Sequence, residues 1–195
     1  MAIVCTTPAT AQSVSTADAK LHMHVDAATE DTLIATYIAA AENFILQRRS
    51  IQAISATWKL YLDEFPDSGV IELPIVPVSS ITSIAYVDTA GDTQALAASK
   101  YLLDTTGYDH SPCRVTPAYG ESFPATREQI NAVTITFVAG YGAASANVPG
   151  DLRAAILLYV ADRYANREAT ISGTIIAEVP LAFESLISMR GVTKI

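Results

Sequence analysis

The chain has 195 residues, of which 50% are hydrophobic and 16% charged, enough apolar material to bury a real core and too much for disorder over most of its length. Twelve Lys and Arg against 20 Asp and Glu give a formal charge of -8, which argues against the sequence-independent phosphate binding that basic proteins reach through counterion release. The two cysteines, Cys5 and Cys113, lie far apart with no C-x-x-C pair, so they point to neither a zinc site nor a disulfide framework and read as reduced thiols.

The opening Met-Ala-Ile-Val-Cys-Thr-Thr-Pro lacks the basic residue and long apolar run of a secretory signal. Residues 1–28, rich in Thr, Ala and Ser, read as an N-terminal arm with at most a short helix starting near Ser15, where Asp18 follows as a capping acid. From Leu33 onward, Leu33, Ile34, Tyr37, Ile38, Ala41, Phe44 and Ile45 recur at the spacing of one helical face. Glu30 and Asp31 at the start and Arg48 and Arg49 at the end suit the helix dipole, which predicts a long amphipathic helix.

After it the texture changes. Residues 58–65 mix aromatic and charged side chains, and the run from Val70 to Val78 contains prolines that confine pairing to edges. Short β-branched or aromatic runs at 81–87, 101–103, 114–116 and 133–138 are separated by Asp88-Thr-Ala-Gly-Asp92, Thr105-Thr-Gly107 and Ala118-Tyr-Gly120, which predicts a small antiparallel sheet. In Val133-Thr-Ile-Thr-Phe the alternation is strict, so one face is dry and the other wet.

Pro149 and Asp151 suit the start of a second long helix. Its main apolar face is Leu152, Ala155, Ile156, Tyr159 and Val160, and Leu157 with Leu158 widens the apolar surface to most of the circumference, predicting burial on several sides, a neighbouring subunit being one option. Residues 169–195 read as a C-terminal tail with a short helix carrying Phe183, Leu186, Ile187 and Met189, stopped by Gly191. The fold class is therefore α+β: a long N-terminal helix, a small antiparallel sheet, a second long helix packed with the first, and a tail, with a core domain at 29–168. The longest apolar stretches, 34–41 and 156–161, fall short of the roughly 20 residues that span a bilayer, so no membrane is expected.

Catalytic and cofactor patterns are missing. His22-Met-His24 would point both rings the same way on a strand, but no third ligand stands nearby, and no metal site or cofactor is expected. There is no G-x-S-x-G elbow and no phosphate-cradling glycine motif, and the glycines of Ala139-Gly-Tyr-Gly142 read as turn residues ending a strand. The carboxylates Asp63 and Glu64 sit among Tyr61, Leu62, Phe65 and Pro66, a structural neighbourhood. An enzyme or carbohydrate-binding module, the rival from another class, would be revived by a pocket holding Asp104, Asp109 and His110 with shifted ionisation.

An ordered set of landmarks remains: Trp58-Lys-Leu-Tyr-Leu-Asp-Glu-Phe-Pro66, Ile71-Glu-Leu-Pro74, the run from Pro77 to Asp88, Tyr101, Pro117 with Gly120, Phe123-Pro124, Val133-Thr-Ile-Thr-Phe-Val-Ala-Gly-Tyr-Gly142, Val148-Pro149 and Tyr164-Ala-Asn-Arg-Glu168. In order and spacing, over 33–191, this resembles the head-tail connector (adaptor) proteins of long-tailed double-stranded DNA phages and the similar adaptors of gene transfer agents. Two positions depart from that pattern: Phe123 stands where Trp is frequent, and Ser188-Met-Arg190 stands where a Pro-Tyr-Arg-like turn is frequent. The resemblance implies a structural virion protein and no enzyme. It implies a homo-oligomeric, commonly dodecameric ring in the neck, assembled in the host cytoplasm and docked under the portal protein. Such a ring extends the channel through which double-stranded DNA passes without specific binding, and it meets a stopper, head-completion or tail protein downstream. Phe183, Leu186, Ile187, Met189 and Arg190 are the expected portal-binding residues, the alternative being a helix folded back on its own domain. The rival within the virion is a tail-completion or terminator protein.

Overall fold

The two longest apolar-periodic stretches form the two longest helices. In the computed structural model, which describes residues 1–167, 181–188 and 190, helix α1 spans Thr16–Met23, α2 Asp31–Arg49, α3 Gly150–Ala165 and α4 Leu181–Ser188. The strands are β1 (Ala2–Thr7), β2 (Ala56–Leu62), β3 (Ile71–Leu73), β4 (Val78–Val87), β5 (Thr93–Leu96), β6 (Tyr101–Asp104), β7 (Cys113–Pro117) and β8 (Val133–Ala139). The α+β class holds, and the strands divide into a five-stranded sheet in the order β1-β2-β8-β4-β5 and a three-stranded sheet in the order β3-β7-β6, antiparallel throughout.

The chain separates into two units: residues 1–9 with 55–140, which among the described residues hold all the strands, and residues 10–54 with 141–195, which hold α1 to α4. In the β unit, the strict alternation of β8 buries Val133, Ile135, Phe137 and Ala139 on one face. Antiparallel register then lines up buried partners across the sheet: Leu60 opposite Ile135 opposite Ile84, and Trp58 opposite Phe137. Such cross-strand rows, more than backbone propensity, stabilise a sheet. The smaller sheet repeats the device with Ile71 opposite Val115 opposite Leu103, and Leu73 opposite Cys113.

One turn shows local chemistry at its clearest. The Asp88 carboxylate accepts the backbone N–H groups of Ala90, Gly91 and Asp92 and the Gln94 side-chain amide, closing the β4–β5 connection. The Gln94 amide, followed by the Asp92 N–H, holds the Asp88 carboxyl below its ordinary range. Gly91 has φ +99°, a conformation that side chains rarely adopt.

In the helical unit, α2 buries Ile34, Ile38, Ala41 and Ile45, one stripe at helical spacing, and α3 buries Leu152, Ala155, Ile156 and Val160. Helices α1, α2 and α4 all pack against α3. These contacts cover the main apolar face of α3, while Leu157 and Leu158, which widen its apolar surface, stay half-exposed. The α3 start differs slightly from expectation: Pro149 is the residue before the helix, and Gly150 opens it.

The first 28 residues are no bare arm. Residues 2–7 form β1, which pairs with β2 at the edge of the larger sheet, and α1 is capped as the sequence suggested, with the Ser15 hydroxyl accepting the Asp18 N–H at 3.0 Å. Between them Ser13, fully buried, donates through both N–H and Oγ to one Glu42 oxygen at 2.6 and 2.5 Å, pinning the segment to α2.

Candidate partner-binding surfaces

Helix α4 carries the residues expected to meet a portal, so its surroundings decide what it presents. Phe183 and Ile187, four residues apart on one face, are both 0% exposed. The Phe183 ring lies edge-on to Phe44 of α2 at 5.5 Å and tilted against Tyr159 of α3 at 5.4 Å, while Phe44 and Tyr159 stand 5.9 Å apart, a closed aromatic triad within the helical unit. Two charged hydrogen bonds fasten its end. Arg49 Nε donates to the Ile187 carbonyl at 2.9 Å, where a cation suits the helix C-terminus, and Arg190 Nε donates to Asp151 Oδ2 at 2.6 Å.

Of the five expected residues, Phe183 and Ile187 are therefore core, Leu186 is half-buried and Arg190 is tied to Asp151. Met189, with the stretch between Arg167 and Leu181, lies outside the described residues. The face of α4 turned outward is small and polar, with Ala182, Ser185 and Ser188 exposed. In this conformation the helix folds back on its own domain, the second of the two expectations for it.

The other end of α3 holds a cluster that residue spacing alone did not single out. The Tyr164 hydroxyl and Arg167 Nη2 both donate to Glu30, the arginine at 2.8 Å, and the Arg167 guanidinium lies over the Tyr164 ring at 4.5 Å from its centre. The Tyr164 hydrogen bond and then Arg167 hold the Glu30 carboxyl below its ordinary range, and Glu30 in turn pushes the Tyr164 phenol up. Tyr164 and Arg167 belong to one of the sequence landmarks, and their work is to tie the end of α3 to the start of α2. Another landmark finds a similar reason: Phe123 stacks on Phe65 at 4.6 Å with the rings 10° from parallel. Beside that stack a hollow of about 660 Å³ is lined by Glu64, Asp67, Glu121 and Glu128 with Pro66 and Pro124.

The groups that a catalytic reading names are each held in local contacts. Asp104 is taken up by the Thr106 side chain and N–H and by Arg114, whose Nη2 is 2.5 Å away, and is held well below the usual carboxylate range. His110 Nε2 is 3.2 Å from the buried Asp109 carboxylate, with its own ring largely exposed. Cys113 donates to the Tyr108 carbonyl at 3.7 Å, and burial pushes its thiol pKa up, which keeps it protonated and a poor nucleophile. His22 lies in the last turn of α1 and His24 caps it in a left-handed conformation, so the strand geometry that would align their rings does not occur. Among the described residues, no group of three or more His, Cys, Asp or Glu side chains is placed to hold a metal, and no helix is long and apolar enough to cross a membrane.

No family model matches the sequence, and no curated protein matches it. Solved structures do. The chain is similar to a chain in the neck of an empty gene transfer agent particle computed with C6 symmetry, at 26% identity and a TM-score of 0.81, over 100% of this chain and 98% of that one. A chain in the virion of a native gene transfer agent particle gives 26% and 0.81, over 100% and 97%. A chain in the neck of the native particle computed with C12 symmetry gives 27% and 0.75, over 100% and 98%.

Proposed function

From this end-to-end likeness to gene transfer agent neck proteins, we propose that the chain is a structural virion neck protein: a head-tail connector whose copies form a ring beneath the portal, extend the DNA channel and join the head to a stopper or tail-side protein. The observation that carries the reading is two-way coverage. Both units and their interleaved order in the chain are matched, where a shared sheet or helix pair alone would leave function open. The neck structures were computed with C6 and C12 symmetry, which supports a cyclic homo-oligomer here, dodecameric by the second of them. The packing of α2 on α3 favours a connector over a tail-completion protein.

Charge fits the same role. The β unit carries four Lys and Arg against ten Asp and Glu, the helical unit eight against ten. A ring of such subunits repels a polyanion and lets DNA pass without being held. Portal contact by α4 remains part of the proposal, and it requires the helix to leave the Phe44–Tyr159 seat or to be met through its outer face.

The test is the mass of the purified full-length chain by light scattering, alone and mixed with its portal, beside a version ending at Arg167. A closed ring on the portal supports the connector. Loss of that ring in the truncated chain supports the α4 contact only where the helix-band dichroism of α1 to α3 is kept, because Phe183 and Ile187 are core residues. A full-length chain that stays monomeric in every mixture overturns the connector reading.

A further inference from the structure

The five-stranded sheet ends in β1 on one side and β5 on the other, and among the described residues no strand pairs with the outer edge of either. An open edge is a row of free N–H and C=O groups, which monomeric proteins block with charge, proline or a bulge. Neither Ala2-Ile-Val-Cys-Thr-Thr7 nor Thr93-Gln-Ala-Leu96 contains a charged residue or a proline. The register shift in β1 falls between Cys5 and Thr7, so residues 2–5 pair regularly and match the four residues of β5 in length. Val4 is 48% exposed, and Thr93, Gln94 and Ala95 are exposed.

Direction completes the match. Each strand in the order β1-β2-β8-β4-β5 runs opposite to its neighbour, so with five strands the two outer ones run the same way. Rotation about a ring axis keeps strand direction from copy to copy. A cyclic ring also needs two different, complementary surfaces on each subunit, which one sheet with two unlike open edges supplies. We propose that β5 of one copy pairs with β1 of the next, in parallel, so that the sheet continues from subunit to subunit around the ring. The occupant of each edge is a second copy of this chain, and the inference rests on the ring reading above. Main-chain pairing of this kind gives affinity with little demand on side chains.

Cross-linking tests it on the full-length chain in a Cys5→Ser background, assembled alone or on the portal. Val4→Cys is combined in turn with Thr93→Cys, Gln94→Cys and Ala95→Cys, then oxidised. At least one pair is expected to give a ladder of covalent multimers up to ring size, with no ladder from any single variant. Rings that form while every pair stays unlinked overturn the edge pairing and leave the connector reading standing, and dimers from Val4→Cys alone overturn it by placing β1 against β1. Val4→Lys, at an exposed position, is expected to lower the ring fraction at least tenfold while the Trp58 fluorescence of the folded subunit is kept. Unchanged rings in Val4→Lys also overturn the pairing. A chain that never gives a ring or a portal complex overturns both readings.

Discussion

In the β unit, every strand finds a hydrogen-bonding partner in another strand; β1 and β2 pair residues fifty or more positions apart. In the helical unit, the backbone hydrogen bonds of each helix close within it and side chains join one helix to the next, through the Phe44–Tyr159–Phe183 triad, the Glu30 cluster and the Ser13–Glu42 pin. The difference teaches where each is vulnerable. The sheet is register-locked and tolerates change at its surface, whereas the helices depend on a few side chains that each join two or three elements.

The two units have separate reporters: the only tryptophan, Trp58, sits in β2, and far-ultraviolet circular dichroism at the helix band follows α1 to α4. The largest effect is expected from Phe183→Ala and Phe137→Ala, each removing a fully buried ring at about 3–5 kcal/mol. In denaturant, the first should move the dichroism transition and the second the fluorescence transition. Both probes moving together in both variants would erase the distinction between the units. Next comes Glu42→Ala, which leaves the buried Ser13 donors unpaired at about 1–3 kcal/mol and should move only the dichroism transition. Gly91→Ala forces a side chain into φ +99°, where the new Cβ stands 2.6 Å from the end of Arg127, and should cost the fluorescence transition about 1 kcal/mol.

The smallest effect is in acid. Glu30, Asp88 and Asp104 all have folded pKa values below their ordinary 4.5, 3.8 and 3.8, so their contributions are complete above those values and are lost as pH falls through the folded ones. Glu30→Gln should flatten the acid limb of the dichroism signal, and Asp104→Asn that of fluorescence. An acid limb unchanged in both variants would remove these carboxylates from the account.

Periodicity made α2, α3 and β8 legible, because each buries one clean stripe. It failed at β1, whose Ala-Ile-Val-Cys-Thr-Thr has no flanking turn and becomes a strand only by pairing with β2. Residues 58–65 read as mixed texture because Lys59 and Tyr61 fill the half-exposed face between buried Trp58 and Leu60. For α4 the stripe was visible but not its seat: Phe183 and Ile187 look the same whether they face a portal or their own domain, and only the positions of Phe44 and Tyr159 show the seat they take in this conformation. The Glu30–Tyr164–Arg167 cluster joins residues whose separation in sequence carries no motif signal, although the landmark at Tyr164 marked its place.

The path of the chain between the units has a consequence for synthesis. It passes from strands to helices after residue 9, returns after residue 54 and leaves again after residue 140. Strand β1 must therefore wait through the synthesis of α1 and α2 for its partner β2, and β2 must wait for its second partner, β8. Until residue 139 has emerged, the nascent sheet lacks its middle strand, so contacts of such long sequence separation make the β unit the slow step of folding. The same path means that no single cut can release either unit whole.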